Sequence, residues 1–248
     1  TTSVAVVNGA LSFTDAGVPT NDSPAFSVVG GNLRITDPGS VLGAGAGVIQ
    51  IDDHTIEIPL SSLTQITFNG GGGNDLLTLD FSNGSPIPSG GLTFNGGTGG
   101  HDTLTLINVG DLYDTSVFSY TNRNDGTIAL TNGDGTSNIT YTGLEPISID
   151  GTPTNLVFNL TVGSDSNVIL DDIGGPDGFM RLSGTTFETT DFKVDSAVSI
   201  TINGLGGNDN ITFKHIDVNF TASLTIDGGN GNDTINTPAL HYPVTLIR

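Results

Sequence analysis

Four short segments of this chain set a run of glycines between an Asn or Asp and a second Asp. They are ITFNGGGGNDLLTL (66–79), LTFNGGTGGHDTLTL (92–106), ITINGLGGNDNITF (200–213) and LTIDGGNGNDTINT (224–237). These residue types suit a hard divalent cation. Calcium takes about six to eight oxygen ligands, many of them backbone carbonyls. Glycine permits the φ angles that bend a turn until several carbonyls point at one place. The Asp adds an oxygen and a charge, and the large apolar residue after it anchors the next segment in a core. The same residues also describe a turn with no ion, because Asn and Asp enter left-handed conformations unaided.

Such turns act together only if the elements around them hold them in register. The apolar-Thr-apolar segments before the turns and the alternating segments after them read as strands. Further strands are expected at VAVVNGALSFT, AFSVVGGNLRIT, GVIQID, TIEIPL, TIALT, SNITYTG, LVFNLTV and FKVDS. VVGGNLRI (28–35) reads as a hairpin whose Gly-Gly-Asn supplies positive φ angles. Asp75 and Asp102 stand 27 residues apart, Asp209 and Asp233 stand 24 apart, and Asp75 and Asp209 stand 134 apart. NLRITDPG (32–39) can be laid on NVILDDIG (167–174) at a shift of 135. The chain therefore reads as an old duplication. Its units are 1–108 and 161–248, joined by a connecting or inserted segment 109–160, or all three form one continuous domain. The expected fold is all-β. The spacing of the turns suits a β-solenoid, a parallel β-helix or β-roll with its Gly-Asn-Asp turns in a column. The alternative is an antiparallel β-sandwich in which each motif is a hairpin.

The motifs resemble the nonapeptide calcium-binding repeat of repeats-in-toxin (hemolysin-type) proteins, Gly-Gly-x-Gly-x-Asp-x-U-x with U a large apolar residue. Residues 70–78 and 228–236 fit every position, whereas Leu205 and Thr98 stand where the second Gly belongs in the other two motifs. The resemblance implies ions shared between turns of neighbouring coils, held by turn carbonyls and Asp carboxylates. Carried onto this chain, it pairs Asp75 with Asp102 and Asp209 with Asp233. From the turns it adds Gly71, Gly73, Gly97, Gly100, Gly207, Gly229 and Gly231. Asn69, Asn95, Asn203 and Asp227 would add side-chain oxygens. The family packs its repeats back to back, whereas these four stand apart, so a few ions at most are implied. The wider texture resembles tandem modules of very large secreted or surface bacterial proteins. That implies calcium-rich surroundings, repeated copies and a scaffolding role.

Composition narrows the partners. The 248 residues carry a net charge of −20, from 26 acidic and 6 basic side chains. Such a surface repels phosphate backbones and anionic lipid, so neither nucleic acid nor direct membrane insertion is expected. It draws cations. No apolar run approaches the roughly 20 residues that span a bilayer. The absence of Cys removes disulfides and thiolate metal sites. No signal peptide is visible, and the chain opens on Thr1 as a mature or excised segment would.

A catalytic site is not expected. His54, His101, His215 and His241 show no metalloprotease spacing, and there is no nucleophile elbow. The basic residues Arg34, Arg123, Arg181, Lys193, Lys214 and Arg248 are scattered. Asp171, Asp172 and Asp177 in DDIGGPDG read as a solvated acidic loop, Asp52-Asp53-His54 as a turn, and Lys214-His215 as a solvated strand end. The fixed Thr-x-Thr array that ice binding would need is missing. The expectation is a calcium-stabilised extracellular structural or adhesive module with Ca2+ as its cofactor. It would meet copies of itself or neighbouring modules in a filament or surface layer, and surface glycans. The alternative is a carbohydrate-binding or polysaccharide-cleaving β-helix module.

Overall fold

The computed structural model describes residues 2–15, 20–151, 153–194, 197–237 and 244–247; His241 and Arg248 lie outside them. The chain is all-β. Its first strands are β1 (Thr2–Val7), β2 (Ala10–Thr14), β3 (Ala25–Val29), β4 (Asn32–Thr36), β5 (Leu42–Ala44), β6 (Ile49–Asp52) and β7 (Thr55–Pro59). The first two motifs lie between β8 (Gln65–Gly72) and β9 (Leu76–Asp80), and between β10 (Leu92–Thr98) and β11 (Thr103–Ile107). The middle of the chain supplies β12 (Thr115–Tyr120), β13 (Gly126–Asn132), β14 (Gly135–Thr142), β15 (Ile147–Asp150) and β16 (Asn155–Asn159). Next come β17 (Val168–Asp172), β18 (Phe179–Ser183) and β19 (Thr190–Lys193). The last motifs lie between β20 (Ser199–Asn203) and β21 (Asn210–Phe213), and between β22 (Ser223–Asp227) and β23 (Thr234–Asn236); β24 (Val244–Ile247) follows.

These strands form two open twelve-stranded sheets. One runs β24-β22-β20-β16-β12-β13-β14-β10-β8-β2-β1-β5, and the other β23-β21-β17-β18-β19-β15-β11-β9-β3-β4-β7-β6. The two strands flanking each motif fall in different sheets. Each motif therefore carries the chain from one sheet to the other and is not a hairpin. Equivalent strands lie side by side in parallel, residues 66–69 on 92–95, 76–80 on 103–107 and 199–203 on 223–227. Antiparallel pairing is confined to β1–β2, β3–β4–β7–β6, β12–β13–β14 and β17–β18–β19. The last two are three-stranded meanders, so each restores the strand direction. The crossings from the first sheet to the second consequently lie along one rim, apart from that between β5 and β6, because β5 runs antiparallel to β2.

Alternation drives this arrangement. In β8, Ile66 and Phe68 are buried while Thr67 is half-buried on the other face. Parallel register repeats that inward place in each layer, so Phe13, Phe68 and Phe94 form a column of tilted and edge-on rings with centroids 4.9 and 4.7 Å apart. Each such side chain contributes about 2 kcal/mol of hydrophobic burial. One hydrophobic cluster runs from Val4 to Ile235, and strands of the 109–160 segment contribute Phe118, Ile128, Tyr141 and Phe158 to it.

The internal repeat is visible in topology. β17–β18–β19–β20–β21 repeats the order of β3–β4–β7–β8–β9. The counterpart of β4 is β18, because both run antiparallel to both neighbours. Arg34 pairs with Glu57 across β4 and β7, and Arg181 pairs with Asp191 across β18 and β19. Laying 32–39 on 167–174 matches strands that run in opposite directions; the structural match sets 32–36 on 179–183. The expected hairpin at 28–35 is the β3–β4 turn, with Gly30 and Gly31 at φ +59° and +84°.

Candidate functional site

Two places in every motif turn have left-handed backbone. The second residue after the leading Asn or Asp is Gly71, Gly97, Leu205 or Gly229, at φ +89°, +107°, +66° and +84°. The residue two before the closing Asp is Gly73, Gly100, Gly207 or Gly231, at φ +124°, +87°, +110° and +147°. Thr98 pairs with Gly72, at a place that needs no positive φ. The 95–102 turn is thus one residue longer than the others, not mismatched at its second glycine. Strand register confirms this, since Gly71 pairs with Gly97 but Leu76 with Thr103.

The first glycine of each turn, Gly70, Gly96, Gly204 or Gly228, is buried. A β-carbon on any of them would land on a carboxylate oxygen of the closing Asp of its own turn, at 2.6 Å for Gly96 and Gly228. Each closing Asp is therefore folded back over a residue with no side chain. Its Oδ1 accepts the backbone N–H of the corresponding Asp in the neighbouring layer. Asp75 accepts from Asp22 at 2.8 Å, Asp102 from Asp75 at 2.8 Å, Asp209 from Asp165 at 2.7 Å and Asp233 from Asp209 at 3.0 Å. The residue before each Asp bonds the opposite way. Asn74 N–H donates to Asn21 at 2.8 Å, His101 to Asn74 at 3.0 Å, Asn208 to Ser164 at 2.8 Å and Asn232 to Asn208 at 2.9 Å.

The second carboxylate oxygen is the chemically open one. Asp22, Asp75 and Asp209 are at most 2% exposed, and their Oδ2 atoms have no hydrogen-bond partner. Burial is the largest reason that Asp75 is pushed up to about 7, with Asp102, Asp22 and Asp15 adding repulsion against the bond from Asp22. Burial also raises Asp22, Asp102 and Asp209 above the usual carboxylate range. Beside Gly70, the Gly96 carbonyl faces the same small space as Asp75 Oδ2, and the Gly228 carbonyl stands likewise to Asp209 beside Gly204. A bare buried carboxylate is costly. A proton or a cation would relieve it, and the donor set of carboxylate and carbonyl oxygens fits a hard cation.

The structure thus brings Asp75 together with Asp102 and Asp209 with Asp233 in one column each. The leading side chains are already engaged. Asn95 Nδ2 donates to Asn69 Oδ1 at 2.8 Å, Asn203 to Asn159 at 2.8 Å, and Asp227 accepts Gly229 N–H at 2.9 Å. Two rungs escaped sequence reasoning, Asp22 and Asp165. The signal was present as Asn21-Asp22 and as the Asn159-to-Asp165 spacing, which equals that from Asn69 to Asp75. A separate group was read only as a solvated loop. Asp172 and Asp177 are joined by buried Asp217, with one oxygen of each within 4.8 Å of the others. Asp217 accepts the N–H groups of Gly178 at 2.9 Å and Asn219 at 2.6 Å. Asp171 turns away to His215 at 2.8 Å and Lys214 at 4.0 Å. His54 N–H donates to Asp52 in the expected turn, at 2.8 Å. No helix among the described residues is long and apolar enough to cross a membrane. No family model, curated protein or solved structure matches the chain.

Proposed function

We propose that this chain is a calcium-stabilised structural module, a β-solenoid of β-roll type that works outside the cell as one segment of a rod, filament or surface layer. The carrying observation is the rim of buried carboxylates whose second oxygens have no partner. Asp75 and Asp209, with the turn carbonyls beside them, would hold calcium, and Asp172, Asp177 and Asp217 offer a further oxygen cluster. A bound cation would supply the charge that the stacked carboxylates lack. Because the column exists only in the folded chain, binding there adds directly to stability. Millimolar calcium outside cells matches the dissociation constants of about 10⁻⁴–10⁻³ M typical of extracellular modules.

Open edges support the assembly half of this reading. Among the described residues each sheet ends in strands with a single strand neighbour, β5 and β6 on one side and β23 and β24 on the other, and only the outer edge of β5 is partly closed, by the Gln50 side chain and the Asp53 carbonyl. On these edges Ile49, Ile51, Leu246 and Ile247 are 49, 52, 36 and 47% exposed. Edges of this kind extend by pairing with another chain, and a head-to-tail contact does not close. No catalytic role is proposed. The test is a thermal melt with sedimentation, in EDTA and in 2–5 mM calcium (about the extracellular range). A higher melting temperature and larger species with calcium are expected. Identical melts, with no heat of calcium binding, would overturn the calcium reading; a monomer at every concentration would overturn the assembly reading.

A further inference from the structure

The seam between the halves holds a cleft of about 250 Å³ on the same rim as the motif turns. It opens where regular stacking stops. The crossing from β14 to β15 is short, and β18 runs against its neighbours. The cleft is bounded by the 95–102 turn, the β12–β13 loop, the β14–β15 crossing and the β18–β19 loop.

Its lining departs from the rest of the surface. On a chain of net charge −20 with six Lys and Arg, two of those six, Arg123 and Arg181, meet here beside His101. Arg181 is held to the wall by paired bonds to Asp191, at 2.6 and 2.7 Å. Arg123 and His101 both stand over Glu145, at 3.7 and 3.1 Å, with their side chains 69 and 75% exposed. The two side chains share one carboxylate and keep donors toward solvent. At the floor lies Glu188, only 3% exposed, with no partner for Oε2. A polar atom buried without a partner costs about 1–3 kcal/mol. Nothing in the surrounding core supplies that partner, whereas the cleft opens onto this residue.

Two requirements follow for a ligand. The guanidinium fork of Arg123 matches a carboxylate. The carboxyl of Glu188 matches a hydroxyl at the other end of a small molecule. We propose that the cleft binds an acidic sugar unit, a uronic acid residue of a polysaccharide, with its carboxylate on Arg123 and His101 and a ring hydroxyl on Glu188. The site shares only His101 and its turn with the calcium reading, and its failure would leave that reading standing.

The test is calorimetry or ligand-observed NMR on the full chain, with a uronic acid oligosaccharide and a neutral glucose oligosaccharide of equal length. Binding of the uronate is expected, weakened about tenfold by Arg123→Gln through loss of a charge-assisted contact, and unchanged by Lys214→Gln, which removes the same charge away from the cleft. Glu188→Leu should weaken it as well, with its melting curve recorded to show that it folds. Arg123 is exposed enough for its variant to fold in any case. The proposal is overturned by no uronate binding at millimolar concentration, by equal binding of the neutral oligosaccharide, or by full binding in Arg123→Gln.

Discussion

In the first pair of motif turns, the second residue after the leading Asn is Gly71 or Gly97, at φ +89° and +107°. In the second pair the same place holds Leu205 and Gly229, at +66° and +84°. The first pair also contains a longer turn, with Gly99 as the extra left-handed residue at φ +78°. Both columns nevertheless carry the same ladder from one Asp to the next, at 2.7–3.0 Å. Two features never vary between them. One is the closing Asp, and the other is the buried first glycine over which it folds. The middle of the turn tolerates a Leu, an insertion and a Thr. The ladder therefore dictates the backbone, and the mid-turn glycines ease it.

The sharpest way to break this comparison is at the close approach between layers. A β-carbon on Gly100 would strike the Gly73 carbonyl, and one on Gly231 would strike the Gly207 carbonyl. Both partners are backbone and cannot swing away. Gly100→Ala should cost about 3 kcal/mol or more, adding overpacking to left-handed strain. Gly231→Ala should cost less, because its layer is nearer the open edge and can lift. Denaturant melts of the two variants check the ranking; equal and small losses would show that the layers are not held this tightly.

Protonation should separate the columns from an ordinary acidic surface. The folded pKa of Asp75, about 7, lies above its ordinary 3.8. The folded chain therefore holds that proton more strongly than the unfolded chain does. The stability this contributes is complete below pH 3.8 and is lost as pH rises through 7. Asp209 is shifted in the same direction. Glu188, moved from 4.5 to about 8 chiefly by burial, adds a loss of the same sign. Glu57 and Asp80 lie below their ordinary values and act only in more acid solution. In EDTA, stability should fall by on the order of 4 kcal/mol or more between pH 4 and 8. Asp75→Asn keeps an acceptor for Asp22 N–H but removes the charge. It should raise the metal-free melting temperature at pH 8 and remove the first column's share of any gain from calcium. A metal-free melting temperature that climbs from pH 4 to 8 would contradict the buried-carboxylate account.

Much of this was legible in the residues. Gly-rich turns between alternating segments pointed to strands, and the 27- and 24-residue spacings pointed to pairs, because parallel stacking preserves register from layer to layer. The role of the glycines was legible only in part. Gly71 and Gly73 were marked for their carbonyls, whereas Gly70 is the residue the Asp needs, a demand made by a side chain five residues away. Asp22 and Asp165 were missed because their turns lack glycine runs, and the turn at 95–102 was misaligned because an insertion looks like a substitution in one sequence. The Asp172–Asp177–Asp217 group was illegible for a plainer reason. Asp217 arrives from a loop after β21, and parallel pairing of β17 with β21 brings it there.

The gentlest test works on Leu205 itself. Its left-handed φ of +66° puts a branched side chain where its three counterparts have glycine, and the side chain is 40% exposed. Such a conformation costs about 1–2 kcal/mol in a residue with a β-carbon. Leu205→Gly relieves that strain, gives up little burial, and loosens the unfolded chain by about 0.5–1 kcal/mol. The net expectation is a gain of about 0.5–1 kcal/mol, seen as a higher denaturant midpoint with an unchanged slope. The reciprocal change, Gly71→Leu, places the same strain in the first column and should cost about 1–2 kcal/mol. If the ladder dictates the turn, the two changes have opposite signs and both leave the Asp-to-Asp bonds intact, visible as unchanged protection of the Asp75 and Asp209 amide protons. If Leu205→Gly destabilises instead, the second column depends on that side chain, and the two columns are not equivalent versions of one turn.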